Sequence, residues 1–103
     1  MLLSTTDTIP GKELEVLGLV QGNTIQTVNA VRDIGASLKT LVGGELTKYV
    51  DMMNKARELA TSRMIKEAQD LGADAVVGIR YTSSSIMQSA AESMAYGTAV
   101  KFK

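Results

Sequence analysis

The segment LTKYVDMMNKARELATSRMIKEAQDL, residues 46–71, constrains the fold most. Leu46, Tyr49, Val50, Met53, Ala60, Met64, Ala68 and Leu71 recur at helical spacing and form one stripe. Lys48, Asp51, Lys55, Glu58, Lys66 and Asp70 lie elsewhere on the same helix, and Gly72 is placed to cap its end. At 1.5 Å per residue such a helix is about 39 Å long. A compact domain of about 100 residues has a radius of gyration near 13 Å, and so a diameter of roughly 34 Å. The chain has 103 residues, enough for one domain over 1–103. Its longest helix therefore overhangs its own domain or has a second partner, and self-association is the simplest way to supply one.

Strands flank this helix. MLLSTT reads as a first strand and DTIPGK as a turn built on Pro10 and Gly11. ELEVLGLVQGNTIQT reads as a second strand, with Gly18 and Gly22 marking a bulge or bend. AVRDIGASLKTLV reads as a short helix capped by Asn29 and stopped by Gly43-Gly44, with Val31, Ile34, Leu38, Leu41 and Val42 on one stripe. DAVVGIRYTSS and SAAESMAYGTAVKF then form a hairpin that turns near SIMQ. In the last strand Met94, Tyr96, Thr98, Val100 and Phe102 share one face, and Ala91, Ser93, Ala95, Gly97, Ala99 and Lys101 share the other. This order predicts an α+β subunit: an antiparallel sheet with one short and one long helix packed on one face.

The run Ala75-Val76-Val77-Gly78-Ile79 is apolar or small on both faces, and the last strand offers Ala95, Gly97 and Ala99 on one face. One helical layer covers one face only. The expectation is that a second face meets another subunit, with Gly97 at a close approach between backbones. A leucine at Gly97 is expected to block assembly on that reading.

Several function classes lose their support on composition. Eleven basic and eleven acidic residues balance, which removes the electrostatic attraction to nucleic acid or an anionic membrane. Neither histidine nor cysteine occurs, so no imidazole can activate Ser83, Ser84 or Ser85, and no thiolate is available. No GxGxxG or phosphate-binding loop follows a strand, and no cofactor is expected. No enzymatic activity is expected either. Of the six methionines, Met53 and Met64 lie on the helix stripe, Met94 lies on a strand face and Met1 is the start, while Met52 and Met87 have no assigned place; scattered methionines of this kind read as packing residues. MLLSTTDT lacks the features of a signal peptide, and no stretch is long and apolar enough to span a membrane; the expectation is a cytoplasmic protein.

STTDTIPGKEL, VRDIGAS with VGG after it, the long charged helix, LGADAVVGIRY and GTAV occur in this order. The set resembles the YbjQ-like family, labelled heavy-metal-binding, and the likeness runs over nearly all of the chain. The resemblance implies a dodecin-like α+β subunit assembled as a ring, a homopentamer, with a small ligand of unknown identity between subunits. The matching positions are Thr5 and Thr6, Pro10-Gly11, Arg32-Asp33, Gly43-Gly44, Gly72, Asp74 and Gly97-Thr98-Ala99. Thr5, Thr6, Arg32, Asp33, Gly97 and Thr98 are the candidate ligand or interface residues. A metal-binding role, the alternative the label suggests, would rest on methionine sulfur or oxygen donors, a poor set for most heavy metals; no residue is assigned as a ligand.

Arg32 stands near the predicted start of the short helix, where the dipole opposes a cation by about 0.3–1 kcal/mol. A carboxylate of the next subunit or a bound anion would offset that. Arg32→Ala is expected to weaken assembly or ligand retention more than the fold of one subunit. The measurement is the concentration dependence of the thermal midpoint; a wild-type dependence would make Arg32 a solvated charge.

Overall fold

The computed structural model describes residues 1–27, 44–87 and 90–103. Four strands, β1 (Leu2–Leu3), β2 (Leu14–Thr27), β3 (Ala75–Met87) and β4 (Ala90–Phe102), make one sheet in the order β1-β3-β4-β2. Among the described residues one helix, α1 (Gly44–Asp70), crosses it. The α+β class holds, with one departure: β2–β4 and β3–β4 are antiparallel, but β1 pairs parallel with β3. The β3–β4 hairpin fills one edge of β3. The other edge receives Leu2 and Leu3 from a distant part of the chain, so no tight turn dictates an antiparallel direction. The predicted short helix, with Asn29, Arg32, Asp33 and Gly43, lies outside the described residues. Gly44, expected to follow its end, opens α1 instead.

The helix exits as its sequence suggests. The Gly72 N–H donates to the Gln69 carbonyl and the Ala73 N–H to the Ala68 carbonyl, at 2.9 and 3.0 Å, which satisfies carbonyls left over at the last turn. Asp74 then ties the turn to the sheet. Its N–H donates to the Val100 carbonyl, and its Oδ2 accepts from the Phe102 N–H at 2.8 Å.

The buried stripe of α1 is narrower and smaller than predicted: Ala56, Ala60, Met64 and Ala68. Val50 and Leu71 are exposed. Alanines let the helix lie close to the sheet, and Gly22 on β2 lets it lie closer still. A Cβ there would fall on the Ala60 carbonyl oxygen and the Met64 nitrogen, and 2.8 Å from the Arg63 carbonyl carbon. Gly22 marks a close approach; the bulge in β2 sits earlier, between Val16 and Gly18. Val20, Met64, Ala68, Val76, Ile79, Ala95 and Ala99 complete the core beneath the helix.

The small-residue face of β4 is therefore the helix face, which corrects the expectation that it meets another subunit. Gly97 is buried, and a Cβ on it would meet Val76 Cγ1 at 2.8 Å, the Val77 carbonyl oxygen at 2.9 Å and Ile79 Cγ1 at 3.2 Å. Its close neighbours are in its own chain. The second apolar side of β3 is also partly covered from within, because Ala75, Val77 and Val100 pack under Ile9, Leu14 and Phe102. Farther along this face, Leu19 and Ile25 of β2 are exposed. The molecule is long, 54 × 22 × 16 Å, as a helix of about 40 Å requires.

These contacts set an expectation for stability. Gly22→Ala should lower the free energy of unfolding by about 2–3 kcal/mol, since helix and strand backbones must separate. Gly97→Leu should prevent the subunit from folding rather than separate folded subunits. Urea unfolding followed by circular dichroism measures the first, and a wild-type midpoint for Gly22→Ala would refute the close contact.

Candidate functional site

Thr5 and Thr6 belong to a segment clasped onto β3. Two residues of β3, Gly78 and Ile79, stand where β4 supplies only Gly97 between register pairs Val77–Thr98 and Arg80–Tyr96. Gly78 has φ +61°, a left-handed value that suits glycine and makes this bulge possible. The bulge turns backbone donors toward the N-terminal segment. The Gly78 N–H donates to the Thr6 carbonyl at 2.9 Å, and the Ile79 N–H to the Ser4 carbonyl at 3.1 Å. Arg80 Nη1 donates to the Thr5 carbonyl at 3.0 Å. Within the segment the Ser4 and Thr6 hydroxyls lie 2.6 Å apart, and Thr6 Oγ1 donates to the Thr8 carbonyl at 2.8 Å.

The sequence-predicted site residues thus separate by role. Thr6 holds its own loop together. The Thr5 carbonyl is engaged by Arg80. Gly97 faces the bulge from β4, on the opposite edge of β3 from Thr5 and Thr6. Thr98 is half-buried on the helix-free face, opposite Leu19 on one side and Val77 on the other. Arg32 and Asp33 lie outside the described residues.

A second feature was not visible in the sequence. Asn54, Arg57, Glu58, Thr61 and Ser62 of α1 and Tyr81 of β3 line a surface groove of about 640 Å³. The Tyr81 and Thr61 hydroxyls pair at 2.9 Å, Thr61 Oγ1 also lies 2.7 Å from the Arg57 carbonyl oxygen, and Arg57 Nη2 donates to Asn54 Oδ1. The helical residues share a face by their spacing, but nothing in the sequence says that Tyr81 comes beside them. Hydroxyls, one guanidinium and one carboxylate can bind a polar molecule by hydrogen bonds. The groove holds no nucleophile paired with a base.

A family model described as "Putative heavy-metal-binding" matches residues 1–103. The chain belongs to this family, YbjQ. It is similar to a UPF0145 protein of Clostridium novyi strain NT, 60% identical over 101 residues that cover 98% of each chain. A UPF0145 protein of Thermotoga maritima is 52% identical over 104 residues, covering 100% of this chain and 98% of the other. These names state no activity. A crystal structure of a protein of unknown function from Pediococcus pentosaceus superposes with a TM-score of 0.72 at 16% identity, covering 100% of this chain and 98% of that one, which shows a shared fold.

The metal in the YbjQ description can be tested against the donors. Among the described residues, no three acidic, histidine or cysteine side chains gather where they could hold an ion. The chain has no histidine or cysteine at all, and the fully buried Met64 sits in the helix-facing core. Zinc, copper and nickel bind through thiolate or imidazole in most protein sites. The donor set does not fit a heavy metal. Titration calorimetry of metal-free protein with each of the three ions should give dissociation constants weaker than about 1 mM, roughly 4 kcal/mol. A micromolar constant would overturn this.

Proposed function

We propose that this YbjQ-family chain is a non-enzymatic, cytoplasmic homo-oligomer whose subunits meet through the helix-free face of the sheet and hold a small ligand between them. One observation carries the reading. On that face of β2, Val16, Leu19 and Ile25 are 69%, 70% and 54% exposed. Covering an apolar side chain of this size is worth about 1.5–3 kcal/mol, and three along one strand form a surface that favours a partner. Half-buried Met94, Tyr96 and Thr98 of β4 continue it. The long axis of the molecule fits the same reading, since among the described residues the one helix lies on a single face of the sheet. A pentamer is the assembly implied by the family resemblance. Among the described residues, no helix is long and apolar enough to cross a membrane.

Light scattering behind size exclusion tests the assembly, and native mass spectrometry reads any retained ligand. The wild-type chain should elute at a multiple of its 11.0 kDa subunit mass, five-fold for a pentamer. Leu19→Lys should lower the mass toward one subunit without changing the far-ultraviolet circular dichroism. A wild-type monomer at micromolar concentration would end the reading; a Leu19→Lys variant of unchanged mass would move the interface elsewhere.

A further inference from the structure

The free edge of β2 is held by two side chains of the helix that lies on it. Among the described residues β2 ends the sheet on one side, and its fourteen residues contain a single charge, Glu15. A long strand rich in apolar residues, with no proline and one charge, is a template for adding another strand. The opposite edge of the sheet ends in β1, which has only two residues and offers much less to pair with.

At the middle of β2, α1 makes its closest approach over Gly22, with the Arg63 and Met64 backbone directly above. Gln21 and Asn23 flank Gly22, and residues two apart on a strand turn their backbone groups the same way. Both are met from the helix rather than from a strand. The Gln21 N–H donates to Glu67 Oε1 at 3.3 Å, and the Asn23 carbonyl accepts from Arg63 Nη1 at 2.7 Å. Arg63 and Glu67 are four apart, one turn of helix, so both project from the same side of α1. Among the described residues the ion pair within 4 Å is Lys66–Asp70, on the exposed surface; Arg63 and Glu67 reach the strand instead.

We propose that Arg63 and Glu67 close the free edge of β2 against strand addition by a second copy of this chain. A copy pairing there would need the Gln21 N–H and the Asn23 carbonyl, and both are taken by charged side chains anchored one turn apart. Hydrogen bonds to charged groups are stronger than neutral ones, so displacement is disfavoured. The closure confines association to surfaces other than this edge, and it holds whether the wild-type protein is a monomer or a closed oligomer.

The test compares Glu67→Ala, Glu67→Gln, the double variant Arg63→Ala/Glu67→Ala and, as a control, Lys66→Ala, which removes a neighbouring charge away from the edge. The readouts are amide hydrogen exchange at Gln21 and light-scattering mass over time, relative to wild type. Glu67→Ala should speed Gln21 exchange about tenfold, the size expected for one lost hydrogen bond. Glu67→Gln, which keeps an acceptor oxygen, should exchange near the wild-type rate. The double variant should grow in mass beyond the wild-type species while Lys66→Ala does not. If the double variant fails to fold, the same comparison is made with the single variants Arg63→Ala and Glu67→Ala. Unchanged exchange in Glu67→Ala overturns the proposal. So does fast exchange with a wild-type mass in every edge variant, because the contact would then exclude nothing.

Discussion

The contact between two backbones at Gly22 organises this protein. A sheet and a helix ordinarily stay apart by the thickness of their side chains. Here α1 lies directly against β2 because Gly22 has no side chain, while Ala56, Ala60 and Ala68 keep the helix side of the interface thin. The consequence is that little hydrophobic bulk remains to be buried, and Met64, Val20, Val76 and Val100 are the largest fully buried side chains. Small residues on β4 follow from the same closeness. Ala95, Gly97 and Ala99 lie under the helix or against β3, where larger side chains would lift the layers apart. The charged groups at the β2 edge depend on it too, since Arg63 and Glu67 reach the strand only while the helix stays down.

The bulge at Gly78 has a comparable effect on the other side of the sheet. An extra residue in β3 changes the direction of its backbone donors, and the N-terminal segment uses them. Ser4, Thr5 and Thr6 thereby become part of the sheet edge without forming a longer strand. Of the polar residues singled out in the sequence, Thr5 through its carbonyl and Thr6 through its hydroxyl and carbonyl take part in this clasp. Exposed apolar side chains lie elsewhere, at Val16, Leu19 and Ile25 of β2 on the face away from the helix.

Membership of the YbjQ family places this chain among relatives whose names state no activity, and a heavy-metal description sits poorly with its donors. Metal affinity depends on the atoms available as much as on the fold that arranges them. A fold can persist while ligands differ, so the family resemblance informs the architecture more strongly than the chemistry. The exposed groove beside Tyr81 is lined by hydrogen-bonding groups: hydroxyls, an amide, one guanidinium and one carboxylate.

Local physics determined much of this protein from sequence alone. The long helix was legible in its periodicity, its end in Gly72, the last hairpin in two runs of β-forming residues, and the β2 bulge in Gly18. The lack of histidine and cysteine by itself excludes imidazole and thiolate chemistry, whatever the fold. Tertiary structure decided which surface each element presents. Alternation divides β4 into two faces but does not say which one receives the helix; Gly97 therefore suggested a contact between subunits and proved to pack within one. The parallel direction of β1, the approach of Tyr81 to Thr61, and the reach of Arg63 and Glu67 to β2 all join residues at least 20 positions apart. Such pairings depend on how two surfaces fit once the chain has closed, and periodicity along a single segment carries no information about the surface it will meet.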